Sequence, residues 1–286
     1  MCYHLKRNPV LTATASLPAV QEVVADARQR LADSSADLTF DPVQHRYYLG
    51  GRELRSVSSI VEYFAPFDTM ATAIRCSANP RHKHYGLKPE EIAALWAEEG
   101  RRAAEDGTRV HAFAEACCSY MTGHEDEVDP AFRDRLSADG LAAVSPKEVA
   151  VARWWESKDW SRYAVVAKET RIVNPVLQYA GTFDLLLYDL FGRSFLTDDY
   201  KTNKDLERWF GDYLRPPLTM LKSNDLGKYT LQQTSYTISL RNIGLKVAAN
   251  ELIWLREEGC AVYDLPMQYD RVIQYAISEL IKANPL

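Results

Sequence analysis

The sequence predicts an α/β protein whose mixed central sheet is flanked by helices and preceded by a largely helical N-terminal extension. Three observations predict this class. Helical spacing of apolar residues dominates the first 158 residues, a period of two takes over from residue 163 to 201, and helical spacing returns after residue 226. The length of 286 residues suits a core domain with an elaborated N-terminal part, and the composition, 47% hydrophobic and 26% charged, is that of a globular protein.

The composition also narrows the class of protein. No apolar run approaches the roughly 20 residues of a membrane span, and the N-terminus lacks the continuous apolar core of a secretory signal. We therefore expect a cytoplasmic protein without membrane association. The cysteines are scattered, odd in number and form no C-x-x-C pair, which favours reduced thiols over disulfides or a zinc site. They are Cys2, Cys76, Cys117, Cys118 and Cys260.

The N-terminal half is predicted to start loosely and to continue as a helix over "AVQEVVADARQRLADSS". The following "LTFDPVQHRYYLGGRELRSV" indicates a hairpin of two short strands turned by Gly50-Gly51. Either Ser56 or Ser58 can cap a short helix that ends near Phe64. Residues 67–78 are expected to be helical, and a polar, basic loop follows them.

A long helix is predicted from Pro89 to about residue 121, with Gly100 and Gly107 as points that kink or divide it. A further helix over 145–158 has Ser145 as its N-cap. Strands are then predicted over 163–173, 177–189 and 194–201, a loop over 203–226, a helix over 227–242, two strands, and a terminal helix over 268–283. These elements suggest three parts: a tail and helix over 1–36, the hairpin and helices over 37–160, and a core over 161–286.

Charged residues stand out in the strand "SFLTDDYK". Since residues two apart in a strand share a face, Asp199 and Lys201 are expected to point one way, and Asp198 and Tyr200 the other. Asp198 and Asp199 are rivals for a functional role, and the D-x-K spacing favours Asp199.

The strand before it carries another acidic residue. In "GTFDLLLYD", Phe183, Leu185 and Leu187 are expected to line one face, which places Asp184 on the opposite one. Pairing of these two strands as a hairpin would bring Asp184 close to Asp199. Glu169, on the preceding strand, can add a third carboxylate or can instead pair with a lysine on a neighbouring strand.

Crowded carboxylates repel one another unless a proton or a cation lies between them. Oxygen ligands of this kind suit Mg²⁺ or Mn²⁺. A lysine beside such a site can orient or help deprotonate a water molecule, or it can stabilise negative charge on a phosphate. The sequence therefore predicts a metal site for phosphodiester chemistry.

Five motifs, in this order along the chain, resemble those of the PD-(D/E)xK nuclease superfamily in its RecB-like branch. They are "GTRVH" (107–111), "AKETRIV" (167–173), "GTFDLLL" (181–187), "DYKT" (199–202) and "LQQTSY" (231–236). The stretch "HRYYLGGRELRSVSSIVEYF" also resembles phage-encoded members of this group. The resemblance spans roughly residues 40–265 and implies a restriction-endonuclease-like α/β core.

The resemblance also implies roles for individual residues. His111, Asp184 and Asp199 would be metal ligands, the carbonyl of Tyr200 would face the metal, and Lys201 would be the catalytic lysine. The further residues that it implies are Glu169 as an additional acid, Gln232 and Tyr236 as DNA contacts or braces of the site, and Arg109 and Lys204 as DNA contacts. Compared with a site made of oxygen ligands only, a site with a histidine ligand favours Mn²⁺ somewhat more.

Iron–sulfur clusters in some relatives use a closely spaced trio of cysteines after the core. Here Cys260 is the cysteine that follows the core, so we expect no cluster. The resemblance then favours the cluster-free group of phage recombination exonucleases and mitochondrial genome maintenance exonucleases. It implies a metal-dependent DNA exonuclease that acts on free single- or double-stranded ends, in recombination, replication or repair, beside a single-strand-binding or annealing protein.

Several alternatives remain at this point. The enzyme can instead be a structure-specific endonuclease, or the chain can be a DNA-binding module that has lost catalysis. His111 and Glu115 can form an ordinary helix-surface pair, and Gln232 and Tyr236 can be ordinary helix packing. The tryptophans 154, 155 and 160 can stack on bases, although their spacing is more typical of a core. The basic residues Arg75, Arg81, Lys83, Arg101, Arg102 and Arg109 can line a phosphate path or form solvated surfaces.

Overall fold

The computed structural model describes residues 3–285, so Cys2 lies outside the described range. Within it, the helices are α1 Pro9–Ala15, α2 Pro18–Ser34, α3 Val57–Phe64, α4 Thr69–Ala78, α5 Pro89–Thr122, α6 Pro130–Arg133, α7 Pro146–Ser157, α8 Asp225–Asn242 and α9 Asp270–Ala283. The strands are β1 Tyr3–Leu5, β2 Leu38–Asp41, β3 Arg46–Leu49, β4 Arg52–Ser56, β5 Leu136–Ser137, β6 Gly140–Ala143, β7 Tyr163–Asn174, β8 Tyr179–Asp189, β9 Ser194–Lys201, β10 Val247–Arg256 and β11 Gly259–Asp264.

The predicted first helix is confirmed as α2, which buries Val20, Val24, Ala27 and Leu31 at helical spacing. The predicted loose start is wrong, because β1 and α1 precede α2. β1 pairs with β6 in a small sheet of order β1-β6-β5, formed partly by residues 123–144, for which no element was predicted. Such pairing joins segments more than 130 residues apart, so no local pattern announces it.

The predicted hairpin is a three-stranded meander. β2 pairs with β3 and β3 with β4, and the turn at Gly50-Gly51 joins β3 to β4 with positive φ at both glycines. β4 then runs parallel to the start of β8, where Arg55 pairs with Tyr179. This N-terminal segment therefore extends the main sheet. Ser56 caps α3, as one of the two predicted alternatives.

Helix α5 is continuous over 34 residues, so the prediction that Gly100 and Gly107 divide it is wrong. Glycine costs about 1 kcal/mol in a helix interior, but ion pairs such as Arg101–Glu105 and Arg102–Glu98 support this exposed half of the helix. At Gly107, an added Cβ would lie 3.3 Å from Oγ1 of Thr202. The helix thus passes close to the end of β9.

The main sheet has the order β11-β10-β9-β8-β4-β3-β2, with β7 on β8. β8 and β9 are antiparallel, whereas β9 and β10 are parallel, so the sheet is mixed. Helices α5 and α7 pack on one face, and α2, α3, α8 and α9 pack on the other. The predicted fold class, a mixed sheet flanked by helices, is confirmed.

The predicted faces of β8 hold only in part. Leu185 and Leu187 pack beneath α5 and α7, but Phe183 packs with Leu186 in the core on the opposite face. The simple alternation therefore breaks around Asp184.

Among residues 3–285, no helix has both the length and the apolar character needed to cross a bilayer.

Candidate metal centre

Three side chains from three different elements meet beside the break in β8. His111 comes from α5, Glu169 from β7 and Asp184 from β8, and each offers one ligand atom within 4.8 Å of the other two. Nδ1 of His111 lies 3.3 Å from Oδ2 of Asp184. With Glu115, one turn after His111, they line a small cavity of about 10 Å³, close to the space that one ion or water molecule needs.

An irregularity in β7 accompanies the position of Glu169. Its φ is +40°, in the left-handed region that non-glycine residues rarely adopt. Register pairs flank this position, since Lys168 pairs with Leu185 and Thr170 with Phe183. Strained backbone of this kind costs on the order of 1 kcal/mol or more and is often kept where a side chain has a functional position.

Asp184 is held from two directions. Its Oδ2 accepts a hydrogen bond of 2.8 Å from the backbone amide of Tyr200 on β9, while His111 approaches from α5. Burial raises the pKa of this carboxyl, but the charge of His111 and its hydrogen bond outweigh burial, with help from Lys201, so the net shift is downward. Asp184 is therefore the carboxylate that stays ionised most readily at this site.

Glu169 and His111 hold protons more tightly than usual. Burial, together with the charges of Asp184 and Glu115, raises the pKa of Glu169 to about 8. Burial lowers the pKa of His111, but the attraction of Asp184 outweighs it and raises the value to about 9. Carboxylates crowded in this way repel one another, and a divalent cation relieves that repulsion. One imidazole nitrogen and two carboxylates form a donor set that suits Mn²⁺ or Mg²⁺.

Besides His111 and Asp184, a second charged pair, Asp199 and Lys201, lies at the end of β9. Nζ of Lys201 is 2.5 Å from Oδ2 of Asp199, and both side chains are nearly buried. Burial has the largest effect on the pKa of Asp199 and raises it. The charge of Lys201 lowers this pKa and that of Asp184 raises it, so that the value lies at about 6. Burial lowers the pKa of Lys201, but Asp199 and Asp184 outweigh it and raise the value, so this lysine is an ammonium at neutral pH.

Asp198 has a different partner on the other face of the sheet, as the period of two predicts. Its Oδ2 is 2.9 Å from Nζ of Lys158, which also binds Glu251 at 2.9 Å. Tyr200 shares that face, and its ring packs 5.5 Å from the ring of Trp154. The two aspartates therefore have different surroundings. Asp199 pairs with Lys201, whereas Asp198 forms a buried ion triad with Lys158 and Glu251.

Tyr229, on α8, is a residue that the sequence reasoning missed. Nζ of Lys201 lies 4.5 Å from the centre of its ring, and its hydroxyl donates a hydrogen bond of 2.7 Å to Asn203. A ring in this position attracts the ammonium group and limits where it can point. Its position one helical turn before Gln232 is the signal that could have found it.

Gln232 and Tyr236 contact each other across one turn of α8, with 3.2 Å between Nε2 and the hydroxyl. Tyr236 is buried against β8, where a Cβ on Gly181 would lie 2.6 Å from its ring. The ring is not open to a DNA strand in this conformation. Its position fits the alternative in which this pair braces the strand that carries Asp184.

The two basic residues expected to contact DNA differ in their surroundings. Arg109 is partly exposed and is paired with groups of the protein. Its guanidinium lies 2.7 Å from the buried carboxylate of Glu148 and 2.7 Å from Asp106, and it donates a hydrogen bond to Ser145. It therefore ties α5 to α7, and its expected role as a DNA contact stays a prediction. Lys204 is exposed, three residues beyond Lys201.

The tryptophans at 154, 155 and 160 are buried in the core beneath α7, so they offer no stacking surface. Trp155 and Trp160 stack on each other with their ring centres 4.9 Å apart. Their spacing, which is typical of a core, is thus confirmed as core packing.

No protein-family model and no curated protein matches this chain. Solved structures that resemble it weakly include the following two. One is a protein named SSO0001, at 11% identity and a TM-score of 0.34, covering 93% of this chain and 87% of that one. The other, from Eubacterium rectale, is described as a "putative exonuclease", at 13% identity and a TM-score of 0.39, covering 79% and 81%. Both TM-scores are too low to establish a shared fold, so the function is inferred from the chain's own side chains.

Proposed function

We propose that this chain is a metal-dependent deoxyribonuclease that hydrolyses phosphodiester bonds and acts from DNA ends. The observation that carries the proposal is the approach of His111, Glu169 and Asp184 to within 4.8 Å of one another. The hydrogen bond from the amide of Tyr200 to Asp184 joins this group to the strand that bears Lys201. The preference for ends rests on the resemblance to RecB-like exonucleases alone.

In this proposal, His111, Glu169 and Asp184 hold Mg²⁺ or Mn²⁺, and Asp199 is the further acid that the motif resemblance adds. A divalent cation at such a site supplies a Lewis acid that neutralises phosphate charge and acidifies water. The donor set and the crowding of carboxylates support such an ion, because burial, together with the charge of Asp184, raises the pKa of both Glu169 and Asp199.

Lys201 supplies positive charge and hydrogen-bond donors. Because its pKa is raised, it keeps its protons at neutral pH, which favours stabilisation of charge on a phosphate over removal of a proton from water. Asp199 holds the ammonium group from one side, and the Tyr229 ring lies against it from another. The lysine is thereby positioned before any substrate arrives.

The test is cleavage of end-labelled linear DNA and covalently closed circular DNA, with Mn²⁺, Mg²⁺ or a chelator. We expect metal-dependent loss of linear DNA alone, and a decrease of about a hundredfold or more in Lys201→Ala, the range seen when one charge-stabilising donor is removed. Lys246→Ala, which removes an exposed lysine from the loop before β10, is the matched control and should cleave like the unmodified protein. Nicking of circles would instead identify an endonuclease. DNA binding without cleavage under any condition would contradict the proposal.

A further inference from the structure

The loop over residues 203–224, between β9 and α8, is firmly packed. It buries Leu206, Leu214, Leu218 and Leu221, three of them in the core beneath α8. Backbone hydrogen bonds join distant parts of the loop to each other, such as that of 2.9 Å from the amide of Leu214 to the carbonyl of Leu221. The loop therefore has a fixed shape before any ligand binds, and its outward side chains are held in place.

Those outward side chains are aromatic. Trp209, Phe210 and Tyr213 are 38%, 75% and 51% exposed, and we call them the aromatic loop surface. The rings of Trp209 and Tyr213 meet edge to face with their centres 5.2 Å apart. Exposed rings that stand together on a rigid loop cost hydrophobic free energy in water, which indicates that something else covers them in function.

Positive charge accompanies these rings. Arg208 lies 5.0 Å from the centre of the Phe210 ring, and Nζ of Lys222 lies 5.0 Å from that of Trp209. Residues 203–224 contain four cations, Lys204, Arg208, Arg215 and Lys222, and three acids, Asp205, Glu207 and Asp212, hence a net charge of +1 in a chain of net charge −5. The loop is therefore not acidic, and two of its cations, Arg208 and Lys222, lie against the exposed rings.

The aromatic loop surface is tied to the candidate metal centre through the chain itself. Asn203, two residues after Lys201, is bonded to Tyr229 through its side chain and to the Trp254 indole through its carbonyl. Trp209 follows Lys201 by eight residues, so even a fully extended chain would keep the two within about 28 Å. A strand held at one can reach the other.

We propose that the aromatic loop surface binds single-stranded DNA by stacking its bases on Phe210 and Trp209, while Arg208 and Lys222 face its phosphates. This inference rests on the proposed nuclease function and names the form of DNA that enters the site. Exposed rings interleaved with cations are the recurring means of binding unpaired strands without sequence preference. Bases in a duplex are already stacked on one another, so duplex DNA gains the charge attraction but not the stacking.

The test is equilibrium binding by fluorescence anisotropy, in chelator, of three labelled probes. They are a mixed-sequence single strand of about 16 nucleotides, the same length of abasic sugar–phosphate strand, and the duplex. We expect the single strand to bind at least about fivefold more tightly than the abasic strand, since each stacked base contributes a factor of roughly five or more. Phe210→Ala and Trp209→Ala should each remove most of that difference.

The matched control is Phe191→Ala, because Phe191 is as exposed as Phe210, at 76%, but lies in the turn between β8 and β9, outside the aromatic loop surface. It should bind all three probes as the unmodified protein does, and thermal melts should show that every variant is folded. Equal affinity for the base-bearing and abasic strands, unchanged binding in both loop variants, or failure to bind any single strand would each overturn the inference.

These outcomes are separable from the fate of the proposed function. Because binding is measured without metal, a protein that stacks single strands but cleaves nothing would support this inference and reject nuclease activity. A protein that cleaves linear DNA but shows no loss of single-strand binding in Phe210→Ala would support nuclease activity and reject the aromatic loop surface as the DNA-binding element.

Discussion

At the scale of single residues, two of the three candidate metal ligands, Glu169 and His111, have raised pKa values. The pKa of Glu169 is raised to about 8 and that of His111 to about 9, so both carry protons at neutral pH. Either group must lose its proton before it can bind a cation, and metal binding therefore releases protons. Asp184, whose pKa is lowered, contributes no proton to this exchange.

We predict that binding of Mn²⁺ near pH 7.5 releases nearly two protons, and that Glu169→Gln either abolishes binding or releases about one proton fewer. Calorimetric titrations in buffers of different ionisation enthalpy count the protons. Glu115→Gln is the comparison, because Glu115 lines the same cavity but lies outside the group of three ligands. Unchanged affinity and an unchanged proton count in Glu169→Gln would show that this carboxyl does not bind the ion.

The sequence led directly to His111, Asp184, Asp199 and Lys201, because short motifs and the period of two determine which residues share a face. It could not place Glu169 securely, since a positive φ turns its backbone away from the strand pattern. Nor could it predict the ion pair of Arg109 with Glu148, because the two residues are distant in sequence and Glu148 becomes buried only when α5 packs on α7.

At the scale of elements, the position of β8 depends on its contact with α8. Gly181 lies three residues before Asp184, and its Cα faces the ring of Tyr236 and the side chain of Val57. The absence of a side chain there lets α8 approach the strand closely. This packing favours the alternative in which Gln232 and Tyr236 brace the site through β8.

Substitution of two glycines tests this view. In Gly181→Ala, the new Cβ would lie 2.6 Å from the Tyr236 ring, so we predict a loss of about 1–3 kcal/mol in the free energy of unfolding and weaker metal binding. Gly100→Ala is the control: nothing lies within 4 Å of its Cβ, and alanine in a helix interior should stabilise α5 by about 0.5–1 kcal/mol. Chemical denaturation measures both. A Gly181→Ala protein as stable as the unmodified one would contradict the close packing.

Other element-scale features depended on long-range pairing. The period of two located β7, β8 and β9, and helical spacing located α2, α5, α7 and α8. The small sheet of β1, β5 and β6 and the parallel pairing of β4 with β8 join distant segments whose local sequence carries no strong signal. The exposed rings of residues 209–213 lie in a stretch without periodicity, so their arrangement required the folded loop.

At the scale of the whole molecule, stability should depend on pH in a direction set by these groups. Glu169 is stabilising when protonated, so its contribution is full below its ordinary value of 4.5 and is lost as pH rises through about 8. That of His111 is full below 6.5 and is lost as pH rises through about 9. The lowered pKa of Asp184 acts in the opposite sense, with losses only in acid below 3.8.

We therefore predict that the metal-free protein melts at a lower temperature at pH 9 than at pH 6.5. Mn²⁺ should raise the melting temperature more at pH 9, because most of Glu169 and a larger fraction of His111 are then deprotonated. Melts at both values, in chelator and in Mn²⁺, measure the effect. An equal increase at the two pH values would indicate that the ion binds elsewhere.

We infer that His111, Glu169 and Asp184 together hold a divalent cation. Anomalous diffraction from crystals soaked in Mn²⁺ tests it most directly. We predict one strong anomalous peak in contact with all three side chains, at about 2.0–2.2 Å from their ligand atoms, and its loss in Asp184→Asn. A peak that persists in this variant, or the absence of a peak between α5, β7 and β8 in the unmodified protein, would contradict the account.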